Sequence, residues 1–246
     1  MKIKNKDFWE KNDIIETQEI SKSISNFEQF MLESSLRRYE KIGKIKNIKV
    51  FGCGTGRELA AIAKFYEPSR IVASDISQNM IDKCNKNLKS WNIDSIVSTI
   101  VGDAKDFNKV SGEFELVTIL NSMLTFVPVR KDRLTIFNNA CQILVSDGVI
   151  IGTVHNQVGV FAKTWYFRLR ELLSFFLKEK VGNRDTGFKG FKVSGYYYTK
   201  KGLIADLRES KFRDIEIYSI EEFYAMQGRK YDRKKGYNNL IFIASK

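Results

Sequence analysis

The chain has 246 residues, and its 41 lysines and arginines outnumber its 29 aspartates and glutamates, so the formal net charge is +12 at pH 7. Hydrophobic residues make up 43% of the chain, which is enough to offset the entropy of folding and excludes a disordered protein. With only 2 prolines and 16 glycines, collagen-like and proline-rich classes are also excluded.

The cysteines and the N-terminus indicate the cellular compartment. Cys53, Cys84 and Cys141 are too widely spaced for a disulfide scaffold or a zinc cluster, so we expect reduced thiols, no metal and a cytoplasmic protein. No apolar region follows the basic N-terminus, so we expect no signal peptide. No run reaches about 18 apolar residues, so we expect no membrane-spanning helix. The spread of positive charge indicates either codon bias or an anionic partner.

The first half of the chain predicts alternating helices and strands. Residues 14–45 have a helical pattern, with Ile24, Phe27 and Met31 on one face. Strands are predicted at 48–51, 71–74, 95–101, 114–120 and 149–154, and helices at 57–65, 78–90 and 130–145. Five strands alternating with helices indicate a parallel sheet covered on both faces.

The second half breaks this rhythm. The pattern predicts a long amphipathic helix over 160–180, a loop over 182–195, a helix over 200–210 and closing strands at 212–220 and 239–244. We expect one domain of four parts. These are a helical cap (1–45), a core of alternating strands and helices (46–155), an insertion or lid (156–200), and a C-terminal helix with closing strands (201–246).

The most informative motif is the glycine loop Gly52-Cys53-Gly54-Thr55-Gly56, which joins the first strand to a helix. Glycines let the backbone approach a ligand closely, and this loop lies at the carboxyl end of a parallel strand. Asp75 ends the second strand and Asp103 the third, so they could bind a ribose and an adenine. The alternatives are that Asp75 caps a helix and Asp103 sits in a turn.

Other nucleotide motifs do not fit. The dinucleotide fingerprint needs a third glycine where Arg57 stands, and the lysine of a phosphate-binding loop is absent. The pattern therefore favours a nucleoside-containing cofactor other than a dinucleotide.

Four segments carry a resemblance to a known family. Residues 50–58 resemble motif I of class I S-adenosylmethionine-dependent methyltransferases, and 73–81, 102–104 and 116–128 resemble segments further along that family. The resemblance spans 48–154, with a weaker echo over 196–220. It implies an α/β, Rossmann-like fold with a seven-stranded, mostly parallel sheet in the order 3-2-1-4-5-7-6.

The resemblance also implies a cofactor site for S-adenosylmethionine, with S-adenosylhomocysteine as the product. Asp75 would bind the ribose, and Leu120 would lie behind the sulfonium. The implied cofactor-binding residues are Phe51, Gly52, Cys53, Gly54, Thr55, Gly56, Asp75, Ile76, Met80, Asp103, Ala104 and Leu120. In this set Ile76 and Met80 would pack on the adenine. One departure is Val50, which stands where many members carry an acid; Glu58 cannot be assumed to replace it.

The catalytic residues are less determined. His155, the only histidine, follows the fifth strand and is the candidate general base, although it could equally be structural. Asn121 follows the fourth strand but lacks the Pro-Pro-aromatic sequence of many amino-directed nucleic-acid methyltransferases. The missing signature counts against N-methylation of adenine or glutamine, and Asn121 stays a candidate substrate residue because of its position after the fourth strand.

Aromatic and basic residues follow His155. Trp165, Tyr196, Tyr197 and Tyr198 are candidate substrate residues, with Phe8 and Trp9 closing the site from the N-terminal side; the alternative is core packing. The basic side chains of the predicted 160–180 helix could attract a phosphate, a carboxylate or anionic lipid, or could form a solvated face. The basic cluster at 229–235 could contact RNA or form a charged hairpin tip.

We therefore predict methyl transfer from S-adenosylmethionine to an oxygen or nitrogen of a small molecule, with an anionic acceptor left open by the positive charge. The alternatives are an RNA methyltransferase, which would lack an appended RNA-binding module, and a non-catalytic protein that binds S-adenosylmethionine. The oligomeric state is not indicated by the sequence.

Overall fold

The main sheet has seven strands. The computed structural model describes residues 2–18, 24–107, 113–176 and 180–246. Its strands are β1 Asn47–Phe51, β2 Arg70–Asp75, β3 Val97–Val101, β4 Phe114–Ile119, β5 Leu144–His155, β6 Asn183–Phe188, β7 Phe191–Tyr196, β8 Arg213–Ser219 and β9 Asn239–Ser245. The order is β3-β2-β1-β4-β5-β9-β8, with β9 antiparallel to both β5 and β8.

This topology confirms the predicted order 3-2-1-4-5-7-6. Strands β6 and β7 form a separate two-stranded sheet, so the last two strands of the main sheet become β8 and β9. The helices are α1 Asn5–Trp9, α2 Asn12–Thr17, α3 Asn26–Tyr39, α4 Leu59–Tyr66, α5 Gln78–Ser90, α6 Arg130–Ile143, α7 Phe161–Leu172, α8 Lys200–Glu209 and α9 Ile220–Met226. In the part of the chain that the structure describes, no helix is long and apolar enough to cross a membrane.

The central strands are buried on both faces, as their continuous apolar runs require. In β1, Ile48 and Val50 belong to the core on one side of the sheet, whereas Phe51 belongs to the core on the other. Lys49, between them, is fully buried on the Phe51 side, where its ammonium donates to Ser74 Oγ at 2.9 Å. Because β1 pairs in parallel with β2 and β4, its end and the loop after it lie at the carboxyl edge of the sheet.

Three predictions of local structure were wrong. Residues 182–195 form the β6–β7 hairpin rather than a loop, because Lys189 and Gly190 both adopt positive φ and make a two-residue turn that matches the strand twist. The helix predicted over 160–180 ends at Leu172, and residues 177–179 lie outside the described residues. The helix predicted over 14–45 is instead α2 and α3; residues 19–23 lie outside the described part.

Candidate functional site

The glycine loop turns sharply at the end of β1. Gly52, Gly54 and Gly56 all have positive φ, a conformation that glycine adopts without a steric penalty. A Cβ on Gly52 would lie 2.6 Å from Met123 Cγ, so close packing requires glycine there. A Cβ on Gly54 would meet no described heavy atom within 4 Å, because Gly54 faces open space.

Asp75 joins this loop to the next strand. Its Oδ2 accepts a hydrogen bond from Gly54 N at 2.9 Å, and its Oδ1 accepts one from Ser77 N at 3.0 Å. Burial raises the pKa of Asp75, while the N–H groups of Ser77 and Gly54 act in the opposite direction. Each oxygen of an ionised carboxylate has a further lone pair, so Asp75 can still accept bonds from a ligand.

A cavity of about 230 Å³, here the first cavity, opens beside this loop. Eight of the predicted site residues line it: Gly52, Gly54, Asp75, Ile76, Met80, Asp103, Ala104 and Asn121. It thus brings together the loop and the ends of β2, β3 and β4. The other lining residues are Asn5, Trp9, Gln18, Ser74, Gly102, Lys105, Met123, Phe126, Val127, Pro128, Asp132 and Ile136.

The remaining predicted cofactor residues lie behind this lining. Phe51 is fully buried with its ring 5.5 Å from that of Phe107, and Leu120 is buried in the core. Cys53 is also buried, and its hydrogen bond with Cys84, together with burial, raises the pKa of its thiol well above the ordinary value. The remaining two are Thr55 and Gly56. Direct contact with the cofactor stays a prediction for these five residues and for those that line the cavity.

Asn121 connects the first cavity to a cluster of charges. Arg57 Nη2 donates to Asn121 Oδ1 at 2.8 Å and contacts Glu28 Oε1 at 2.5 Å. Asn121 Nδ2 lies 3.4 Å from Glu58 Oε2, and Glu58 Oε1 has no hydrogen-bond partner among the described residues. Burial raises the pKa of Glu58 to about 7. Glu58 is thus the acid beside Asn121, whereas Val50 is fully buried in the core.

A second cavity, of about 240 Å³, adjoins the first and shares Trp9, Gln18 and Phe126 with it. The rings of Trp9 and Phe126 meet edge to face, with centroids 5.0 Å apart. The other lining residues are Phe8, Ile14, Thr17, Thr186 and Gly187. The sequence pattern pointed to Phe8 and Trp9, but it missed the contribution of the β6–β7 hairpin.

The N-terminal helices are tied to the cofactor loops by hydrogen bonds. Asn5 Nδ2 donates to Phe126 O at 2.9 Å, and Ser77 Oγ donates to Trp9 O at 3.0 Å. The Glu10 carboxylate accepts from the backbone N–H groups of Gln78 and Asn79 at the start of α5. These contacts hold Trp9 between the two cavities.

His155 ends β5 but lines neither cavity. Its Nδ1 is 2.8 Å from Asn239 Oδ1, and its ring packs on Tyr197, with centroids 5.1 Å apart. Burial lowers the pKa of His155 to about 4, so the imidazole is neutral at pH 7. A role for His155 as general base stays a prediction.

The four aromatic substrate candidates also line neither cavity. The Tyr198 hydroxyl bridges Arg133 Nε at 2.8 Å and Asp206 Oδ2 at 3.0 Å, and the Arg133 guanidinium lies 3.7 Å from the centre of the Tyr196 ring. Tyr197 is buried, whereas Trp165 is 67% exposed on α7. The described residues contain no cluster of His, Cys, Asp and Glu suited to a metal ion.

Comparison with known proteins identifies a domain within this fold. Residues 49–148 match the family model described as a methyltransferase domain. Two curated relatives, the carboxy-S-adenosyl-L-methionine synthases of Shewanella pealeana and Shewanella halifaxensis, are 29% and 31% identical over 109 residues. Those alignments cover 43% of this chain and 43% of each relative, so the chain spans less than half the length of the curated relatives it matches.

Solved structures match over more of the chain. A methyltransferase structure from Methanosarcina mazei has a TM-score of 0.64 at 18% identity, over 85% of this chain and 95% of its own. One from Clostridium acetobutylicum has a TM-score of 0.63 at 13% identity, over 95% and 96%. The 1,6-didemethyltoxoflavin-N1-methyltransferase of Burkholderia thailandensis, solved with its substrate and S-adenosylhomocysteine, has a TM-score of 0.59 at 16% identity, over 88% and 77%.

Residues 49–148 thus match a methyltransferase domain, and the chain has the fold of S-adenosylmethionine-dependent methyltransferases. Both findings agree with the predicted family, enzyme class and cofactor.

Proposed function

We propose that the protein transfers a methyl group from S-adenosylmethionine to an oxygen or nitrogen of a small molecule. The observation that supports this most directly is the pair of adjoining cavities that share Trp9, Gln18 and Phe126. The first has carboxylates and backbone groups suited to a nucleoside, and the second is mainly apolar. Donor and acceptor bound in the two cavities would meet where the cavities adjoin, beside the paired rings of Trp9 and Phe126.

In this proposal the cofactor occupies the first cavity. The ribose hydroxyls donate to the free lone pairs of Asp75, and Gly54 leaves room for the backbone to approach. Ile76 and Met80 pack against the adenine, and Asp103 accepts from its amine. These five residues all line the first cavity. The methionine end then points towards Asn121, at the other side of the loop.

Methyl transfer from a sulfonium is an in-line displacement in which positive charge disappears, so a site that excludes water and aligns the nucleophile accelerates it. The chain's contribution would be positioning: Trp9 and Phe126 orient the acceptor, and the hydrogen bonds at Asn5 and Glu10 hold that wall in place. Because His155 lines neither cavity, an acceptor that is already a neutral nucleophile suits the site best.

The lining of the second cavity restricts the acceptor. It contains the aromatic rings of Phe8, Trp9 and Phe126, and none of the described residues that line it is a lysine or arginine. Aromatic walls favour planar, apolar ligands. We therefore propose an uncharged aromatic or heteroaromatic acceptor rather than an anionic one.

Calorimetric titration with S-adenosylhomocysteine tests the cofactor site. Asp75→Asn keeps the shape of the side chain but removes its charge, so we expect the affinity to fall by about tenfold to 100-fold. Asp94→Asn is the matched control, because Asp94 is an exposed acid on the loop before β3. If the affinity of Asp75→Asn equals that of the control, Asp75 does not anchor the cofactor.

Three alternatives can be separated by experiment. An RNA methyltransferase would bind tRNA or rRNA with a steep salt dependence; against it, Arg233 of the basic 229–235 segment already pairs with Glu221 at 2.8 Å. A carboxy-S-adenosyl-L-methionine synthase, as the curated relatives are named, would release a carboxylated sulfonium detectable by mass spectrometry. A non-catalytic binder would release no S-adenosylhomocysteine in a cell extract.

A further inference from the structure

The outer side of α7 and the turn after it form a continuous apolar surface, called here the α7 outer face. It consists of Phe161, Trp165, Leu169, Leu172, Leu173, Phe175 and Phe176, all of them exposed. The exposed fraction reaches 82% for Leu172, 92% for Phe175 and 81% for Phe176. Spacings of four residues from Phe161 to Trp165 to Leu169 place these side chains on one side of the helix.

In an ordinary surface helix the apolar side faces the core, whereas in α7 the apolar side faces outwards. The structure describes every residue of α7, and among them only Phe167 is buried, with its ring 5.2 Å from that of Tyr197. Polar side chains attach the helix to the body: Lys163 Nζ donates to Asn238 Oδ1 at 2.8 Å, and Arg170 Nε donates to Val181 O at 3.1 Å. The apolar residues point outwards, and an exposed patch of this kind marks an interaction surface.

Charge distinguishes between the possible occupants. α7 carries Lys163, Arg168 and Arg170 against the single acid Glu171, and the whole chain carries +12. If two copies paired through α7, they would bring like charges together, including both Arg168 side chains. An anionic membrane surface instead attracts the basic groups and accepts aromatic side chains at the depth of the lipid headgroups.

We propose that the α7 outer face docks the protein on an anionic lipid surface, with Trp165, Phe175 and Phe176 entering the headgroup region. Arg168, exposed on the flank of the helix, contacts lipid phosphates. Binding is peripheral and reversible, because it uses the side of one short helix. This proposal does not depend on which acceptor the enzyme methylates.

Co-sedimentation with vesicles tests it. The full-length protein should bind vesicles of phosphatidylcholine with phosphatidylglycerol and bind pure phosphatidylcholine at least about tenfold more weakly, with binding weakened by salt. The double variant Phe175→Ser/Phe176→Ser should lower the partition coefficient by at least about tenfold. Met226→Ser, which changes an exposed apolar residue on α9, should bind as the unmodified protein does.

Fluorescence supplies a second measurement that does not depend on the double variant. Anionic vesicles should shift the tryptophan emission to shorter wavelength, and Trp165→Phe should abolish the shift, because Trp9 and Trp91 lie elsewhere in the fold. The proposal is overturned if anionic vesicles are not bound, or if the double variant binds them as well as the Met226→Ser control. It is also overturned if light scattering shows a dimer that the double variant dissociates, since a second copy would then cover this face.

Discussion

Lys49 is a charged side chain in the middle of the sheet, and replacing it should stabilise the protein near neutral pH. Its side chain is fully buried, and burial lowers its pKa to about 7 from 10.5. Its ammonium donates to Ser74 Oγ at 2.9 Å and lies 4.0 Å from the centre of the Phe107 ring. Lys49→Met keeps the length of the side chain and removes the ionisable group.

The size of the effect follows from proton linkage. The folded state holds the Lys49 proton less tightly than the unfolded state. The buried charge therefore lowers the free energy of unfolding by its full amount below pH 7, and this loss decreases as the pH rises towards 10.5. At pH 7 it amounts to about 4 kcal/mol, since each unit of pKa corresponds to about 1.4 kcal/mol. Lys49→Met also loses the hydrogen bond to Ser74 and the contact with the Phe107 ring, which reduces the gain in stability by about 2–3 kcal/mol. We therefore expect a net stabilisation of about 1–2 kcal/mol at pH 7.

Urea unfolding at a series of pH values measures this. The free energy of unfolding of Lys49→Met minus that of the unmodified protein should fall by about 3 kcal/mol between pH 7 and about pH 9.5. Lys44→Met, at an exposed lysine before β1, should show no such trend. If the difference for Lys49→Met is independent of pH, Lys49 does not lose its proton in the folded protein and the reasoning fails.

Substitutions at Gly54, His155 and Arg133 test the site and its support, with controls at Gly228 and Arg229. Gly54→Ala and Gly228→Ala should each lower the unfolding free energy by about 1 kcal/mol, because both positions have positive φ and open space. Calorimetry should show weaker binding of S-adenosylhomocysteine for Gly54→Ala but not for Gly228→Ala. His155→Phe should flatten the fall in stability from pH 6.5 to about 4 seen by circular dichroism, because burial lowers the pKa of His155 to about 4; parallel acid-unfolding curves would contradict this. An unaltered pH–rate profile in His155→Ala would exclude it as the general base. Arg133→Met should cost about 2–4 kcal/mol in urea unfolding, because Arg133 is buried and hydrogen-bonded, whereas a change at the exposed Arg229 should cost under about 0.5 kcal/mol; equal costs would refute the reasoning.

The lining of the first cavity could be predicted from sequence because much of it comes from the ends of neighbouring strands. A strand that ends in a glycine loop must deliver that loop to the sheet edge, and parallel pairing brings the end of β2 beside it. The Gly54 N to Asp75 Oδ2 hydrogen bond of 2.9 Å is the direct outcome. The order of the sheet follows from the same alternation of helices and strands.

The second cavity could not be predicted, because it depends on contacts between distant segments. Trp9, Phe126 and Thr186 are far apart in sequence, and no periodic pattern relates them. The hairpin that carries Thr186 turns at Lys189-Gly190, which lacks the Asn-Gly or Asp-Gly pair that most strongly predicts such a turn. The position of His155 after the fifth strand did not predict where its side chain lies. Asn239, its partner on the neighbouring strand, hydrogen-bonds to the imidazole, and His155 lines neither cavity.

The walls of the second cavity have a consequence for how this protein could diverge. Apart from Phe126, its lining residues lie in α1, α2, the residues just after α2 and the β6–β7 hairpin, outside the 49–148 domain that carries the glycine loop and Asp75. In the proposed arrangement, mutations in those peripheral segments would reshape the choice of acceptor and leave the glycine loop and Asp75 of the donor cavity unchanged. Exchanging the N-terminal segment and the β6–β7 hairpin between related enzymes should then transfer the preference for an acceptor without changing the parts of the first cavity that lie within residues 49–148.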